Sequence, residues 1–243
     1  MSAEGRHAVV TGASRGIGLA AATRLAQAGA RVSIISRTAV DGAPFFHARA
    51  DVANEDDVRR AFAQCREANG EVAILVNNAG VAETATLSRT TTAMWERILS
   101  TNLTGTFLCT REVFAEMAAA GWGRIVNIAS TAGLAGAPYI AAYCASKHGV
   151  IGLTRALAAE AAGSGVTVNA ICPGYTETAI LHGAIANIVA KTGRSEDETR
   201  ALLAQSNPEG RIATVEEVAQ AVLDLVDGSS TGVALTIPGF AEA

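Results

Sequence analysis

Short apolar runs typical of β-strands alternate with alanine-rich runs typical of helices along almost the whole chain. Seven runs have the length and β-branched content of strands: residues 8–10, 31–36, 45–48, 74–76, 124–129, 166–172 and 233–237. Helical segments lie between most of them, at residues 18–28, 55–69, 92–120, 143–162 and 215–226. Because consecutive parallel strands need crossover connections, this alternation predicts a mostly parallel sheet covered by helices on both faces.

Such a pattern is typical of the doubly wound, Rossmann-like α/β architecture. No shift in composition, low-complexity tract or repeat divides the 243 residues, so we expect one domain over residues 1–243. Gly42 and Pro44 oppose a helix, which predicts a loop for the second crossover, residues 38–44.

A helix-rich insertion at residues 176–211 precedes the last strand and helix, and we interpret it as a substrate lid. Its apolar side chains at helical spacing are expected to pack the lid together. These side chains are Ile185, Ile188, Val189, Leu202 and Leu203.

Composition and charge exclude several classes of partner. Lys and Arg sum to 19 against 23 Asp and Glu, and no basic run occurs, so nucleic acid is not an expected partner. The polar residues 1–7 lead directly into the first strand, which predicts a cytoplasmic protein without a membrane span. The four cysteines, at 65, 109, 144 and 172, form no C-x-x-C pair, so we expect free thiols and no metal site.

A glycine-rich loop follows the first predicted strand and precedes an alanine-rich helix. Glycines let a backbone approach a pyrophosphate closely, and the amides of a helix N-terminus hold its negative charge. A loop that serves only as a turn is the alternative, but the placement favours a phosphate site. The spacing is G-x-x-x-G-x-G, and we expect cofactor contacts at Gly12, Ser14, Arg15, Gly16, Ile17 and Gly18.

An arginine ends the second predicted strand, where an acidic residue would bind the ribose hydroxyls and favour NAD. Arg37 can pair with a 2′-phosphate instead, and Arg15 can approach the same phosphate from the glycine loop. The two arginines predict a preference for NADP(H), with NAD(H) as the second choice. The alternative is that both are ordinary solvated side chains.

Tyr143 and Lys147 lie four residues apart, so a helix places them on one face, roughly 6 Å from each other. A tyrosine with a pKa of about 10 is a poor acid at neutral pH, and an adjacent ammonium lowers that pKa. Ser130 ends a predicted strand at the edge where such sheets bind ligands, and its hydroxyl can bind a substrate carbonyl. Asn102 lies in a helical stretch that disfavours asparagine, which suggests a polar task such as holding a water.

The motifs together resemble those of the short-chain dehydrogenase/reductase family over nearly the whole chain. They occur in the family's order: residues 11–18, 77–80, Asn102, Ser130, Tyr143 with Lys147, and 169–174. Asn77 in the second motif is as well suited to a structural role as to a cofactor contact.

The resemblance implies that Tyr143 donates a proton to the carbonyl, Lys147 binds the nicotinamide ribose, Ser130 orients the substrate oxygen and Asn102 supports a proton-relay water. It also implies cofactor contacts at the adenine, the ribose and the nicotinamide end. Asp51 and Val52 would contact the adenine, and Asn78, Ala79 and Gly80 the adjacent ribose. The nicotinamide end would be contacted by Pro173, Gly174, Thr176 and Thr178, and Tyr143 and Lys147 are expected to contact the cofactor as well.

The glycine loop is similar to that of 3-oxoacyl thioester reductases, whereas residues 187–195 look more like enzymes acting on acyl-CoA or small hydroxy acids. Lys191, Arg194 and Arg211 either attract an anionic substrate or form a solvated helix face. Residues 236–240 depart from the family's usual ending, and the short second crossover leaves adenosine recognition open.

These features favour an NADPH-dependent ketone reductase acting on a 3-oxoacyl thioester or similar carbonyl. An NAD-dependent dehydrogenase of a hydroxy acid, hydroxyacyl-CoA or secondary alcohol is the alternative. A non-catalytic dinucleotide sensor or a methyltransferase would leave Tyr143 and Lys147 without a role. Family members are usually homo-oligomers, and we expect a tetramer rather than a dimer.

Overall fold

A computed structural model describes residues 2–39, 42 and 44–239. Within them one sheet contains β1 (His7–Thr11), β2 (Arg31–Ser36), β3 (Phe46–Arg49), β4 (Val72–Asn77), β5 (Gly123–Ile128), β6 (Val166–Pro173) and β7 (Ala234–Ile237). The strand order is β3-β2-β1-β4-β5-β6-β7, and all neighbouring pairs are parallel. The doubly wound sheet predicted from the alternation is thus confirmed.

Helices cover both faces of this sheet. In the described part of the chain they are α1 (Gly16–Gln27), α2 (Glu55–Asn69), α3 (Thr92–Leu99), α4 (Gly105–Ala119), α5 (Ala141–Glu160), α6 (Ala179–Thr192), α7 (Glu196–Gln205) and α8 (Val215–Asp227). The crossover from β2 to β3 has no helix in its described residues, as predicted. Val40, Asp41 and Ala43 of that crossover, and Phe240 of the C-terminal segment, lie outside the described residues.

The strands are apolar throughout because both faces of the sheet are buried. Val10 and Ile34 belong to the hydrophobic cluster under α1 and α8, whereas their neighbours Val9 and Ile35 belong to the cluster on the opposite face. Successive side chains of a strand point to opposite faces, so each strand contributes to two cores. Burial of each such side chain contributes roughly 1.5–3 kcal/mol.

The predicted helix over residues 92–120 is interrupted. A π-helical turn, Ser100–Thr104, joins α3 to α4. The next residue, Gly105, packs closely against Val52, since a Cβ on Gly105 would lie 2.8 Å from the Val52 Cγ2 atom. The turn changes the register of the helix at Asn102, and π turns of this kind occur frequently at functional sites.

The insertion before α8 contains α6 and α7. Ile185 and Leu203 are buried with Leu181, and Ile188 and Val189 pack against them, as predicted. Leu202 is 44% exposed, so its predicted packing role is wrong. It neighbours Leu203 on α7, and the helix turns it away from the cluster.

All four cysteines are buried free thiols. Within the described ranges, no group of three or more His, Cys, Asp or Glu side chains is arranged to hold a metal ion. The helices described in this structure are too short or too polar to cross a bilayer.

Candidate active site

The glycine loop connects β1 to α1 in a conformation that requires glycine. Gly12 and Gly16 have φ values of +65° and +57°. A Cβ on Gly12 would lie 2.7 Å from the Ala79 Cα atom, so the loop contacts the segment after β4 directly. Helix α1 begins at Gly16 with neither a side-chain cap nor an acidic residue in its first turn. Its N-terminal amides therefore remain free to bind an anion.

Thr11 and Asn78 hold this contact together. The Thr11 hydroxyl accepts hydrogen bonds from the backbone amides of Asn78 (3.0 Å) and Ala79 (3.1 Å). The Asn78 side-chain amide donates to the carbonyls of Thr11 (2.9 Å) and Gly12 (3.1 Å). Thr11 begins the motif at residues 11–18 but is not among the predicted cofactor residues, and its position at the end of β1 explains its structural role.

Asn77, by contrast, is structural. It is buried, and its side-chain amide donates to Thr110 Oγ1 and to Asn127 Oδ1, both at 2.9 Å.

A cavity of about 1000 Å³ opens along the carboxyl ends of β1, β2 and β4. It is lined by twelve of the predicted cofactor residues: Gly12, Ser14, Arg15, Gly16, Ile17, Arg37, Asp51, Val52, Asn78, Ala79, Gly80 and Thr178. Gly18, Pro173, Gly174 and Thr176 are not part of this lining, and neither are Asn102, Ser130, Tyr143 and Lys147. The lining also contains residues that the sequence did not indicate: Val81, Ala82, Glu83, Thr101, Glu177 and His182.

The four predicted cofactor residues that do not line the cavity have contacts within the protein. Gly18 packs under the loop, since a Cβ there would lie 2.8 Å from the Gly12 carbonyl oxygen. The Gly174 amide donates to the Ile237 carbonyl, and Thr176 pairs with Ala213. Pro173 is the last residue of β6.

Arg15 and Arg37 are both exposed and line the cavity. In the part of the chain that the structure describes, neither guanidinium has a hydrogen bond or an ion pair. Asp51, which also lines the cavity, forms no ion pair with either of them among the described residues, and its Oδ1 atom accepts a hydrogen bond from the Ala53 amide at 3.0 Å. Two unpaired guanidiniums therefore line the cavity.

The catalytic candidates meet where β5 ends. Ser130 lies two residues past the end of β5, and the first turns of α5 carry Tyr143 and Lys147. Ser130 lies close enough to Tyr143 for its side chain to lower the pKa of that phenol. The Lys147 Nζ atom lies 5.7 Å from the centre of the Tyr143 ring and donates to the Ile128 carbonyl at 2.7 Å. The structure thus brings Ser130, Tyr143 and Lys147 together as predicted.

Burial determines the direction of both pKa shifts. It raises the pKa of Tyr143, and the Ser130 side chain opposes that change. It lowers the pKa of Lys147 to about 8. The direction for Tyr143 is opposite to the one expected from the Tyr-x-x-x-Lys spacing, because burial of the phenolate is the largest cause of the shift. Tyr143 is consequently a protonated phenol at neutral pH.

Asn102 holds the backbone near this cluster. Its Oδ1 atom accepts from the Val81 amide at 2.8 Å, and its Nδ2 atom donates to the Val81 carbonyl and to Ser146 Oγ, both at 3.0 Å. Ser146 in turn donates to the Tyr143 carbonyl at 2.7 Å. The Asn102 side chain thus links the segment after β4 to α5, and the sequence did not reveal this link.

A cluster of charged side chains lies in the insertion at residues 176–211 and beside it. Glu177 accepts hydrogen bonds from Arg200 and from His182, the latter at 2.7 Å. Arg211 pairs with Glu217 at 2.9 Å and with Glu209. Arg211 is therefore not free to attract an anionic substrate, whereas Lys191 and Arg194 are exposed.

The family model described as short chain dehydrogenase matches residues 6–188. The chain belongs to the short-chain dehydrogenase family. It is therefore an oxidoreductase that acts on hydroxyl or keto groups with a nicotinamide dinucleotide.

Similar members of the family have different substrates. D-beta-hydroxybutyrate dehydrogenase of Rhizobium meliloti is 36% identical over 249 residues, which cover 96% of each chain. A 3-oxoacyl-(acyl-carrier-protein) reductase of Synechocystis is 40% identical over 183 residues, 70% of this chain and 74% of that protein. A solved structure of actinorhodin polyketide ketoreductase with NADPH has a TM-score of 0.90 and 35% identity, covering 98% of this chain and 97% of that one.

Proposed function

We propose that this protein is an NADPH-dependent reductase that converts the ketone of a 3-oxoacyl thioester, or of a similar small carbonyl compound, into a secondary alcohol. The reaction is reversible, with Tyr143 as general acid and base. One observation carries the proposal: Tyr143 lies beside the buried Lys147 and close to Ser130, at the ligand-binding edge of the sheet.

The residues at the cavity fit a nicotinamide dinucleotide. Glycines and free helix amides suit the pyrophosphate, and the unpaired Arg15 and Arg37 suit a 2′-phosphate. Asp51 and Val52 would hold the adenine, and residues 78–80 the adjacent ribose. Pro173, Gly174, Thr176 and Thr178 would hold the nicotinamide end. When bound, the cofactor supplies the hydride for reduction.

The chain's own residues then handle the proton and the substrate. Tyr143 gives its proton to the carbonyl oxygen, and Ser130 orients that oxygen and stabilises its developing charge. Lys147 places a positive charge near the phenolate that remains and binds the nicotinamide ribose. Asn102 fixes the backbone beside them and supports the water that returns the proton.

The second candidate is an NAD-dependent dehydrogenase of a hydroxy acid, a hydroxyacyl-CoA or a secondary alcohol. The similarity to D-beta-hydroxybutyrate dehydrogenase favours it. The unpaired arginines oppose it, because NAD has no 2′-phosphate for them to bind. A dinucleotide sensor would have no use for the proton donor.

The decisive measurement is the absorbance at 340 nm when the protein is mixed with NADPH or NADH and one carbonyl compound. The panel contains acetoacetyl-CoA, acetoacetate, a quinone and an aryl ketone. Oxidation of NADPH with acetoacetyl-CoA supports the proposal. Faster oxidation of NADH contradicts the cofactor preference, and tight NADPH binding without any turnover supports the sensor.

We also propose that the protein works in the cytoplasm as a homotetramer. Four buried free thiols are consistent with a reducing compartment. Trp95 on α3 and Phe107 on α4 remain 39% and 43% exposed, and association would bury these rings. Light scattering on the purified protein measures the oligomer, and a monomer or dimer would contradict this part of the proposal.

A further inference from the structure

A second tyrosine follows the strand next to the one that leads to Ser130. Tyr175 lies two residues past the end of β6 at Pro173, and Ser130 lies two residues past the end of β5 at Ile128. The two strands are parallel neighbours, with Ile128 paired to Ile171. Tyr175 and Ser130 therefore leave the same edge of the sheet from adjacent strands.

The backbone of Tyr175 is held on both sides. Its amide donates to Asn207 Oδ1 at 2.6 Å, and its carbonyl accepts from Asn207 Nδ2 at 2.8 Å and from the Ala213 amide at 3.0 Å. Asn207 is only 7% exposed, and its amide also donates to the Arg211 carbonyl. These bonds fix where the side chain begins, which is a condition for a side chain that positions a ligand.

The Tyr175 hydroxyl itself is free. It has no hydrogen-bond partner among the described residues, and the residue is 39% exposed. Tyr175 lies near enough to Tyr143 to contribute to the raised pKa of that phenol. Partial burial raises the pKa of Tyr175, so the hydroxyl stays protonated and can donate a hydrogen bond.

We propose that the Tyr175 hydroxyl donates a hydrogen bond to a second oxygen of the substrate, two carbons from the ketone that Tyr143 protonates. Tyr175 is thus a specificity-determining residue that selects 3-oxoacyl compounds over ketones with a single oxygen. This inference rests on the ketone reductase activity proposed above.

The chemistry follows from the number of donors. Ser130 and Tyr143 both bind the reacting oxygen, so a simple ketone leaves Tyr175 without a partner. A 3-oxoacyl compound carries another acceptor, a thioester carbonyl or a carboxylate, two carbons from the ketone. Glu177 lies nearby, but it does not repel a substrate carboxylate strongly, because Arg200 and His182 already pair with the Glu177 side chain.

The test compares Tyr175→Phe with the wild-type enzyme on acetoacetyl-CoA, acetoacetate and trifluoroacetophenone, an activated ketone with one oxygen. We expect kcat/KM to fall about 5- to 10-fold for acetoacetyl-CoA and about 10- to 100-fold for acetoacetate, since hydrogen bonds to charged groups are stronger. The value for the aryl ketone should change less than about twofold. The kcat/KM of the wild-type enzyme is also compared between the two 3-oxoacyl compounds, and the larger value identifies whether the second oxygen belongs to a thioester or a carboxylate.

Tyr139→Phe is the matched control, because it removes the hydroxyl of a tyrosine that is 64% exposed. It should leave all three kcat/KM values unchanged. Equal losses on all substrates, or no loss on the 3-oxoacyl compounds, would overturn the role of Tyr175 while the reductase activity stands. If the wild-type enzyme reduces none of the three, the proposed function fails and this inference fails with it.

Discussion

The Lys147 ammonium lies 5.7 Å from the centre of the Tyr143 ring, and a 2.7 Å hydrogen bond to the Ile128 carbonyl holds it there. Lys147 is thus fixed by the end of β5, the strand that also leads to Ser130. The same strand end sets the positions of the charge and the serine relative to the phenol.

Tyr143→Phe should lower kcat for ketone reduction about 10²- to 10⁴-fold, the usual contribution of a general acid. The Kd for NADPH should change far less than kcat, because the substitution removes one hydroxyl and keeps the ring. Turnover followed at 340 nm and titration of NADPH fluorescence measure the two quantities. Retained activity would exclude Tyr143 as the proton donor.

The pH dependence of kcat/KM for ketone reduction should follow the loss of the proton from Lys147. Burial lowers its pKa to about 8 and raises that of Tyr143, so the ammonium loses its proton before the phenol does. We expect kcat/KM to be level below pH 8 and to fall above it. Lys147→Arg keeps the positive charge and should move the fall to higher pH. A wild-type profile that stays level to pH 10 would contradict this assignment.

Lys147 should also affect stability in a predictable direction. Its pKa is about 8 in the folded protein, against 10.5 for the unperturbed group, so the unfolded chain binds more protons between these values. The free energy of unfolding contributed by Lys147 therefore rises with pH across this window, by about 3 kcal/mol. Urea unfolding of wild type and Lys147→Met at pH 7 to 10.5 measures the difference. Parallel curves would contradict the buried charge.

Much of this site could be predicted from sequence because its residues are tied to strand ends. The apolar strands at 7–11 and 123–128 place Gly12 and Ser130 at the carboxyl edge of the sheet, where such folds bind ligands. Helical spacing then places Tyr143 and Lys147 on one face. These inferences need only periodicity and the rules of parallel sheets.

Other features depend on contacts between distant segments and left no periodic signal. The π turn at Ser100–Thr104 shifts the register by one residue, and the helical pattern continues on either side of it. The clamp of Asn207 on Tyr175 joins residues 32 positions apart. The direction of the Tyr143 pKa shift depends on burial, which the Tyr-x-x-x-Lys spacing does not show.

Thr11→Val should loosen the contact between the glycine loop and the segment after β4. The change leaves the amides of Asn78 and Ala79 without an acceptor, at a cost of about 1–3 kcal/mol each. We expect a lower melting temperature and weaker NADPH binding. Thr11→Ser keeps the hydroxyl and is the control. If both variants bind and melt alike, the hydroxyl does not stabilise this contact.

Cofactor preference tests the two arginines. Because Arg15 and Arg37 have no partner in the described structure, removing either disturbs no internal bond. A charged hydrogen bond to phosphate is worth about 1.5–3 kcal/mol, so Arg37→Gln should weaken NADPH binding about 10- to 100-fold. The Kd for NADH should barely change, since NADH has no 2′-phosphate. Arg89→Gln removes an exposed arginine outside the cavity and should alter neither Kd. Equal weakening of both cofactors by Arg37→Gln would place Arg37 at the pyrophosphate or the adenine, and the preference would then need another cause.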